Sequence, residues 1–289
     1  MRLLIDAGNT SLKWNLCADD GARLLGQTRA LSWRDHDIAA QLDRAWGQLP
    51  DIHSVWLSNV AGEELQQVLQ GWLQESGLQQ DEHLDLHYPR SQAIQLGVRN
   101  AYRDADRLGV DRWLALLACH DLMPAQDACI IDCGSAITVD ALRRDGQHLG
   151  GMILPGPALM LQSLRNRTRV FDQASLELAN TAPTNTDSAN TVPAQTMSND
   201  ASPVLTPEEL AQGPVYGQST MECIRQGISH SGIAFMEHII TLAQRTLDRD
   251  CRIIFTGGAA PHYLPHLSSE VLHLPDLVLQ GLLLVSGGE

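Results

Sequence analysis

Two stretches of this chain carry chemically useful residues in the same order. Ile5-Asp6-Ala7-Gly8 runs into Asn9, Thr10 and Ser11, and Ile131-Asp132-Cys133-Gly134 runs into Ser135 and Ala136. A third segment, Phe255-Thr256-Gly257-Gly258, repeats the glycine turn without the aspartate. Such turns suit phosphate. A glycine lets backbone N–H groups approach an anion that a Cβ would keep away, and hydroxyl and amide side chains add donors. Lys13 is the only lysine beside 19 arginines, and it sits next to the first turn. Each turn alone is also an ordinary hairpin, since Asn and Gly favour turns anyway. No G-x-x-x-x-G-K-[ST] or G-x-G-x-x-G occurs, which sets aside Walker and Rossmann readings.

The elements that must position these residues follow from local pattern. Apolar runs precede each turn (Leu3-Leu4-Ile5, Cys129-Ile130-Ile131, Ile253-Ile254-Phe255), and apolar residues follow the first two, so the repeat reads as strand, Asp-x-Gly turn, strand. Recurrence at this long spacing implies two related α/β halves with their turns converging on one cleft. Three- and four-residue apolar steps predict helices over 38–46, 63–75, 111–122 and 221–248. Residues 179–206 lack Lys, Arg and aromatics and are dense in Thr, Asn, Ala, Ser and Pro. That composition predicts a mobile insertion without chemistry.

Composition narrows the partners. With 20 basic against 34 acidic residues, the formal charge is −14. A nucleic-acid footprint or a polybasic membrane patch needs clustered positive charge, so neither is expected. The longest apolar stretches, 113–119 and 277–285, fall well short of the roughly 20 residues of a membrane span. Asp6 interrupts the start too early for a signal-peptide core, and the six cysteines form no C-x-x-C pair, so reduced thiols in a cytoplasmic protein are expected. His83 with His87, and His262 with His266, lack partners at zinc spacing.

Seven motifs in register carry a family resemblance: 6–14 (DAGNTSLKW), 100–102 (NAY), 108–113 (LGVDRW), 132–140 (DCGSAITVD), 150–156 (GGMILPG), 160–164 (MLQSL) and 255–258 (FTGG). In these the chain resembles the type III pantothenate kinases, of the superfamily that includes acetate kinase, sugar kinases and actin. The resemblance implies an α/β fold of two actin-like (ribonuclease H-like) ATPase domains, 1–122 and 123–289, with a nucleotide cleft between them. It implies ATP-dependent phosphorylation of pantothenate to 4′-phosphopantothenate, the entry to coenzyme A. Asp6, Ala7, Gly8, Asn9, Thr10, Ser11, Leu12 and Lys13 would then form the ATP loop, joined by Ser135 where the family usually has Thr. Asp132 would bind a monovalent cation, K⁺ or NH₄⁺. Tyr102, Gly109, Val110, Asp111 and Arg112 would bind pantothenate, with Asp111 as catalytic base. Thr220 would be a further contact supplied across a homodimer interface.

Simpler readings stand beside these. Asp111 could be only the N-cap of its helix, and Asp6 and Asp132 plain turn aspartates. Tyr102 could be half-buried packing and Arg112 a surface ion-pair partner. Two carboxylates at a triphosphate repel it unless cations intervene, so the kinase reading requires Mg²⁺ with the ATP. The same resemblance also admits a catalytically weak accessory factor, or a kinase for another acceptor.

Overall fold

The computed structural model describes residues 1–18, 23–33, 38–47, 49, 52–75, 84–167 and 203–287. They form two compact units. The larger comprises Met1–Leu154, Ile240–Ala260 and Glu270–Glu289, and the smaller Pro155–Ile239 and Pro261–Ser269.

The larger unit holds the repeat. Its first sheet has strands β1 (Arg2–Ala7), β2 (Ser11–Cys17), β3 (Leu24–Ser32), β4 (Ser54–Asn59) and β5 (Asp85–His87) in the order β3-β2-β1-β4-β5. A small hairpin, β6 (Ile94–Gln95) and β7 (Val98–Arg99), precedes the second sheet. That sheet has β8 (Ala128–Cys133), β9 (Ala136–Leu142), β10 (His148–Pro155), β11 (Arg252–Thr256) and β12 (Leu272–His273) in the order β10-β9-β8-β11-β12. The orders match position for position, and in each sheet the Asp-bearing strand pairs antiparallel with the next strand and parallel with the fourth. The duplication inferred from the two turns is therefore a duplication of whole sheets.

Helices α1 (Ile38–Trp46) and α2 (Glu63–Glu75) coincide with the predicted spans. They supply the crossovers that parallel pairing of β1, β4 and β5 requires. Side chains on β1 alternate between two cores. Leu3 and Ile5 pack with Leu42, Trp46, Leu65 and Leu69 of α1 and α2. Leu4 packs instead with Trp113–Cys119 of α3 (Val110–Leu122) and with α8 (Leu277–Ser286), in the cluster that also takes Ile130 of β8. Period two then puts Asp6 on the Leu4 face and Asp132 on the Ile130 face, both towards α3. Residues 112–119 of α3 are all buried, so the helix has no polar face. A Cβ on Gly281 of α8 would lie 2.2 Å from the Leu114 carbonyl oxygen, so the close approach of these helices needs glycine. The two long apolar stretches of the sequence are thus core helices. Among the described residues no helix is long and apolar enough to cross a membrane.

The smaller unit contains α4 (Pro157–Arg167), α5 (Pro207–Gln212) and most of α6 (Thr220–Thr246); the short α7 (Ala260–Tyr263) begins at the boundary. Most of the segment expected to be a mobile insertion, residues 179–202, lies outside the described residues, as does His83. Its end is misread by composition. Val204 is buried with Leu161 and Ile228, and the Leu205 amide donates to the Ser229 hydroxyl at 3.0 Å. Thr206 caps α5 in a reciprocal box with Glu209. A Val-Leu pair followed by Thr-Pro-Glu-Glu is a core anchor and a helix start, and its polar neighbours masked that signal.

Candidate active site

The site is built from the two turns. In the first, the Gly8 amide donates to the Ser11 carbonyl at 3.0 Å; in the second, the Gly134 amide donates to the Ala136 carbonyl at 3.1 Å. The Trp33 indole N–H also donates to the Gly8 carbonyl at 2.8 Å. The Thr10 and Ser135 hydroxyls lie 2.7 Å apart, so the two turns meet. Strand register sets Lys13 opposite Asp6 and Thr138 opposite Asp132. The third turn closes on the second. Gly257 has φ +87°, and a Cβ there would lie 2.3 Å from an Asp132 carboxylate oxygen. Only glycine combines that backbone with that contact.

Helix α3 delivers the third carboxylate. Its N-cap is Gly109, not Asp111, and no side chain caps it. The cap reading of Asp111 is therefore corrected: Asp111 is the second helical residue, and its Oδ1 accepts from the Arg112 amide at 2.8 Å. A Cβ at Gly109 would lie 2.6 Å from that same Oδ1, so the glycine leaves room for the carboxylate. One pocket is lined by Asp6, Gly8, Asn9, Thr10, Ser11, Lys13, Asp111, Asp132 and Ser135. Val60, Gly134, Ala136, Thr138, Gly257 and Gly258 complete its wall. Of these Val60, just past the end of β4, carried no sequence signal, and Thr138 of β9 lay inside the 132–140 motif without being singled out. Ala7 and Leu12 are buried in the core, so only their backbone can serve a ligand.

Three carboxylates and one lysine give the pocket an unusual protonation state. Burial and then the charge of Asp111 push Asp6 up to about 7, with Lys13 pulling the other way. Burial and again Asp111 push Asp132 up to about 6. Asp111 itself is raised, chiefly by burial, against the lowering effect of its bond to the Arg112 amide. Each keeps a partly exposed face, so these are carboxylates that face the pocket rather than sealed core groups. The donor set is all oxygen, which suits hard cations such as Mg²⁺ or K⁺ and not zinc. Among the described residues no group of three or more His, Cys, Asp or Glu could hold a metal unaided. A divalent ion there would need further ligands, such as phosphate oxygens and water.

Behind Asp111, Arg112 is buried rather than at the surface. Its Nε and one terminal nitrogen bond both oxygens of Asp140, at 2.8 and 2.6 Å, and its other terminal nitrogen donates to the Tyr102 hydroxyl at 2.8 Å. The ion-pair reading of Arg112 was right in kind and wrong in place, because Asp140 lies in the second sheet. Tyr102 packs partly on the α3 core with its hydroxyl committed to Arg112. Gly109 and Val110 line an adjoining groove with Asn59, Arg90 and Arg107, and Val60 borders both this groove and the pocket of the two turns. Thr220 is the exposed first residue of α6, in the smaller unit. Asp140 and His148, bonded to each other beside Arg112, were not singled out from the sequence. Asp140 closes a motif already noted, whereas His148 is a lone histidine with no distinguishing spacing.

A family model described as type III pantothenate kinase matches residues 2–194. A type III pantothenate kinase from Nitrosococcus oceani is 31% identical, over 98% of this chain and 92% of its own. Relatives of the same name from Herminiimonas arsenicoxydans and Teredinibacter turnerae are each 32% identical, covering 98% and 99% of this chain and 96% and 98% of theirs.

Proposed function

The chain belongs to the type III pantothenate kinase family, and on that premise we propose that it transfers the γ-phosphoryl group of ATP to the hydroxyl of pantothenate, giving 4′-phosphopantothenate for coenzyme A synthesis. One observation carries the reading: the carboxylates of Asp6, Asp111 and Asp132 face one pocket with both glycine turns and the only lysine.

The ATP phosphates lie against the two turns, where the Gly8–Ser11 and Gly134–Ala136 backbones, the Thr10 and Ser135 hydroxyls and Lys13 offer donors. Their Thr10–Ser135 bond opens or is shared as phosphate enters. Asp111, held on the first turn of a rigid helix, orients the acceptor hydroxyl in line with the γ-phosphorus and takes its proton. Its raised affinity for protons makes it a better base than an exposed aspartate. Lys13 neutralises charge on the transferring group. Mg²⁺ on the phosphates and a monovalent cation at Asp132 would supply the charge compensation that three carboxylates beside a triphosphate demand. The free N–H groups of Arg112 and the Tyr102 ring recognise pantothenate, with Gly109 and Val110 beside it.

We place the enzyme in the cytoplasm as a homodimer. The edge strand β10 exposes Leu149, Met152 and Ile153, apolar surface that a second copy can cover. Thr220 then reaches pantothenate from the partner subunit. The proposed domains, 1–122 and 123–289, divide the chain in the α3–β8 connection, between the two sheet repeats. No observation favours the accessory-factor alternative.

ADP release from purified protein with ATP, Mg²⁺ and pantothenate, with and without potassium, tests the reading. Turnover that requires pantothenate and falls by about 10²-fold or more in Asp111→Asn, with folding unchanged, is expected. Equal turnover in the variant would remove Asp111 as the base. ATP binding without pantothenate-dependent turnover would point to another acceptor or to the accessory role.

A further inference from the structure

We propose that His148 is a positioning residue for acceptor recognition, locking the Tyr102–Arg112 pair into one geometry by bonding Asp140 and the backbone beside Tyr102 at once. The inference rests on the reading of Tyr102 and Arg112 as acceptor-binding residues.

His148 is the first residue of β10, and its side chain is fully buried. Both ring nitrogens are engaged. Nδ1 accepts from the Ala101 amide at 3.3 Å, and Nε2 lies 3.0 Å from Asp140 Oδ1. An amide N–H can only donate, so Nδ1 is the acceptor and the proton sits on Nε2, where it is donated to the carboxylate. One tautomer of a neutral ring thus ties two chain segments together. Asp140 accepts three bonds in all, two from Arg112 and one from His148. The carboxylate cannot rotate without losing one of them, so the Arg112 fork is fixed in plane.

On the other side, the Ala101 bond holds the loop that carries Tyr102. The Tyr102 amide is itself tied to the Asn100 side chain at 2.9 Å. The Tyr102 and His148 rings lie within 16° of parallel with centroids 6.4 Å apart. The Tyr102 hydroxyl accepts from Arg112, which closes a ring of contacts through Arg112, Asp140, His148, Ala101 and Tyr102. The same strand makes the space. A Cβ on Gly151 would lie 2.5 Å from an Arg112 nitrogen and 2.6 Å from Asp140 Oδ1. β10 therefore contributes a side chain that orients the pair and, three residues on, the bare backbone it packs against.

Two N–H groups of Arg112, one on each terminal nitrogen, remain for a ligand once Asp140 and Tyr102 are served. Their direction depends on how firmly the fork is held. Loss of His148 should therefore weaken recognition of the acceptor while leaving the phosphate turns untouched.

The test compares His148→Gln, His148→Asn, His148→Leu and Arg112→Lys by the KM values for pantothenate and for ATP, alongside unfolding midpoints. The glutamine amide can reproduce the Nε2 donor and the asparagine oxygen the Nδ1 acceptor. The expected result is a pantothenate KM raised about tenfold or more in the leucine variant. The two amide variants should rise less, and the ATP KM should stay within about twofold in all three. Nitrogen-detected spectra of the wild-type ring should show a neutral Nε2–H tautomer, a result independent of whether any variant folds. Folded leucine and amide variants with unchanged pantothenate KM would overturn the proposal, as would an Nδ1–H tautomer. If Arg112→Lys also leaves pantothenate KM unchanged, the failure belongs to the site reading itself.

Discussion

Replacing Asp6 with asparagine should make the ligand-free protein more stable and, at the same time, a poorer enzyme. The Asp6 carboxyl, ordinarily near 3.8, stands at about 7 in the folded chain because burial and the charge of Asp111 disfavour its ionised form. Between those two values the folded state holds a proton that the unfolded state has released. Stability therefore falls as pH rises through this window, and the loss is complete above about pH 7. At about 1.4 kcal/mol per pH unit the full interval would be worth about 4 kcal/mol. Solvent screening at its exposed face and the charge shared with Asp111 and Asp132 reduce this to about 2 kcal/mol. Asparagine keeps the shape without the charge. Near pH 8 the variant should unfold about 4 °C higher than wild type, whereas near pH 4 the gain should vanish because wild-type Asp6 is then protonated. The assay is thermal unfolding of both proteins without nucleotide across this pH range, with kinase activity measured in parallel. A midpoint lowered at pH 8, or a difference that does not change with pH, would refute the reasoning. So would an unimpaired kinase, because the carboxylate's cost is retained only if a cation-bearing substrate recovers it.

Three further outcomes follow from the same contacts. Gly109→Ala has an acceptable backbone (φ −51°) but sets a Cβ 2.6 Å from Asp111 Oδ1; kcat should fall about 10- to 100-fold with stability changed by about 1 kcal/mol or less, measured by steady-state kinetics and melting. Gly257→Ala combines φ +87° with a clash on Asp132, and should cost about 1–3 kcal/mol in chemical denaturation and weaken ATP binding in titration calorimetry. Asp140→Asn removes the charge that faces buried Arg112 and should destabilise by about 3–5 kcal/mol in the same denaturation experiment; an apolar replacement of both residues should cost less than the single change.

Much of this molecule was legible before folding. The strand–Asp-x-Gly–strand unit is local, so its two copies and the third glycine turn marked out directly the turns that line the pocket. The spans of α1 and α2 follow from amphipathic period alone, because one face of each meets solvent. Other features resisted. Asp111 reads as a cap until the helix start is seen to fall on Gly109 and Val110, a two-residue shift of the cap that local pattern does not resolve. Arg112 reads as a surface cation because its partner Asp140 lies 28 residues on, in the second sheet. His148 has no distinguishing spacing, since its two bonds run to Asp140 on the preceding strand and to Ala101, far back in the chain.

Alternation along β1 and β8 dictated that Asp6 shares a side with Leu4, and Asp132 with Ile130. Which body would meet those sides was decided only when α3 packed between the two sheets and α8 closed against it. Three carboxylates then faced one pocket, and their proton affinities rose because burial withdrew water while like charges approached. Residue type and period are properties of a short stretch of chain, whereas desolvation and charge proximity belong to segments that only the fold brings together.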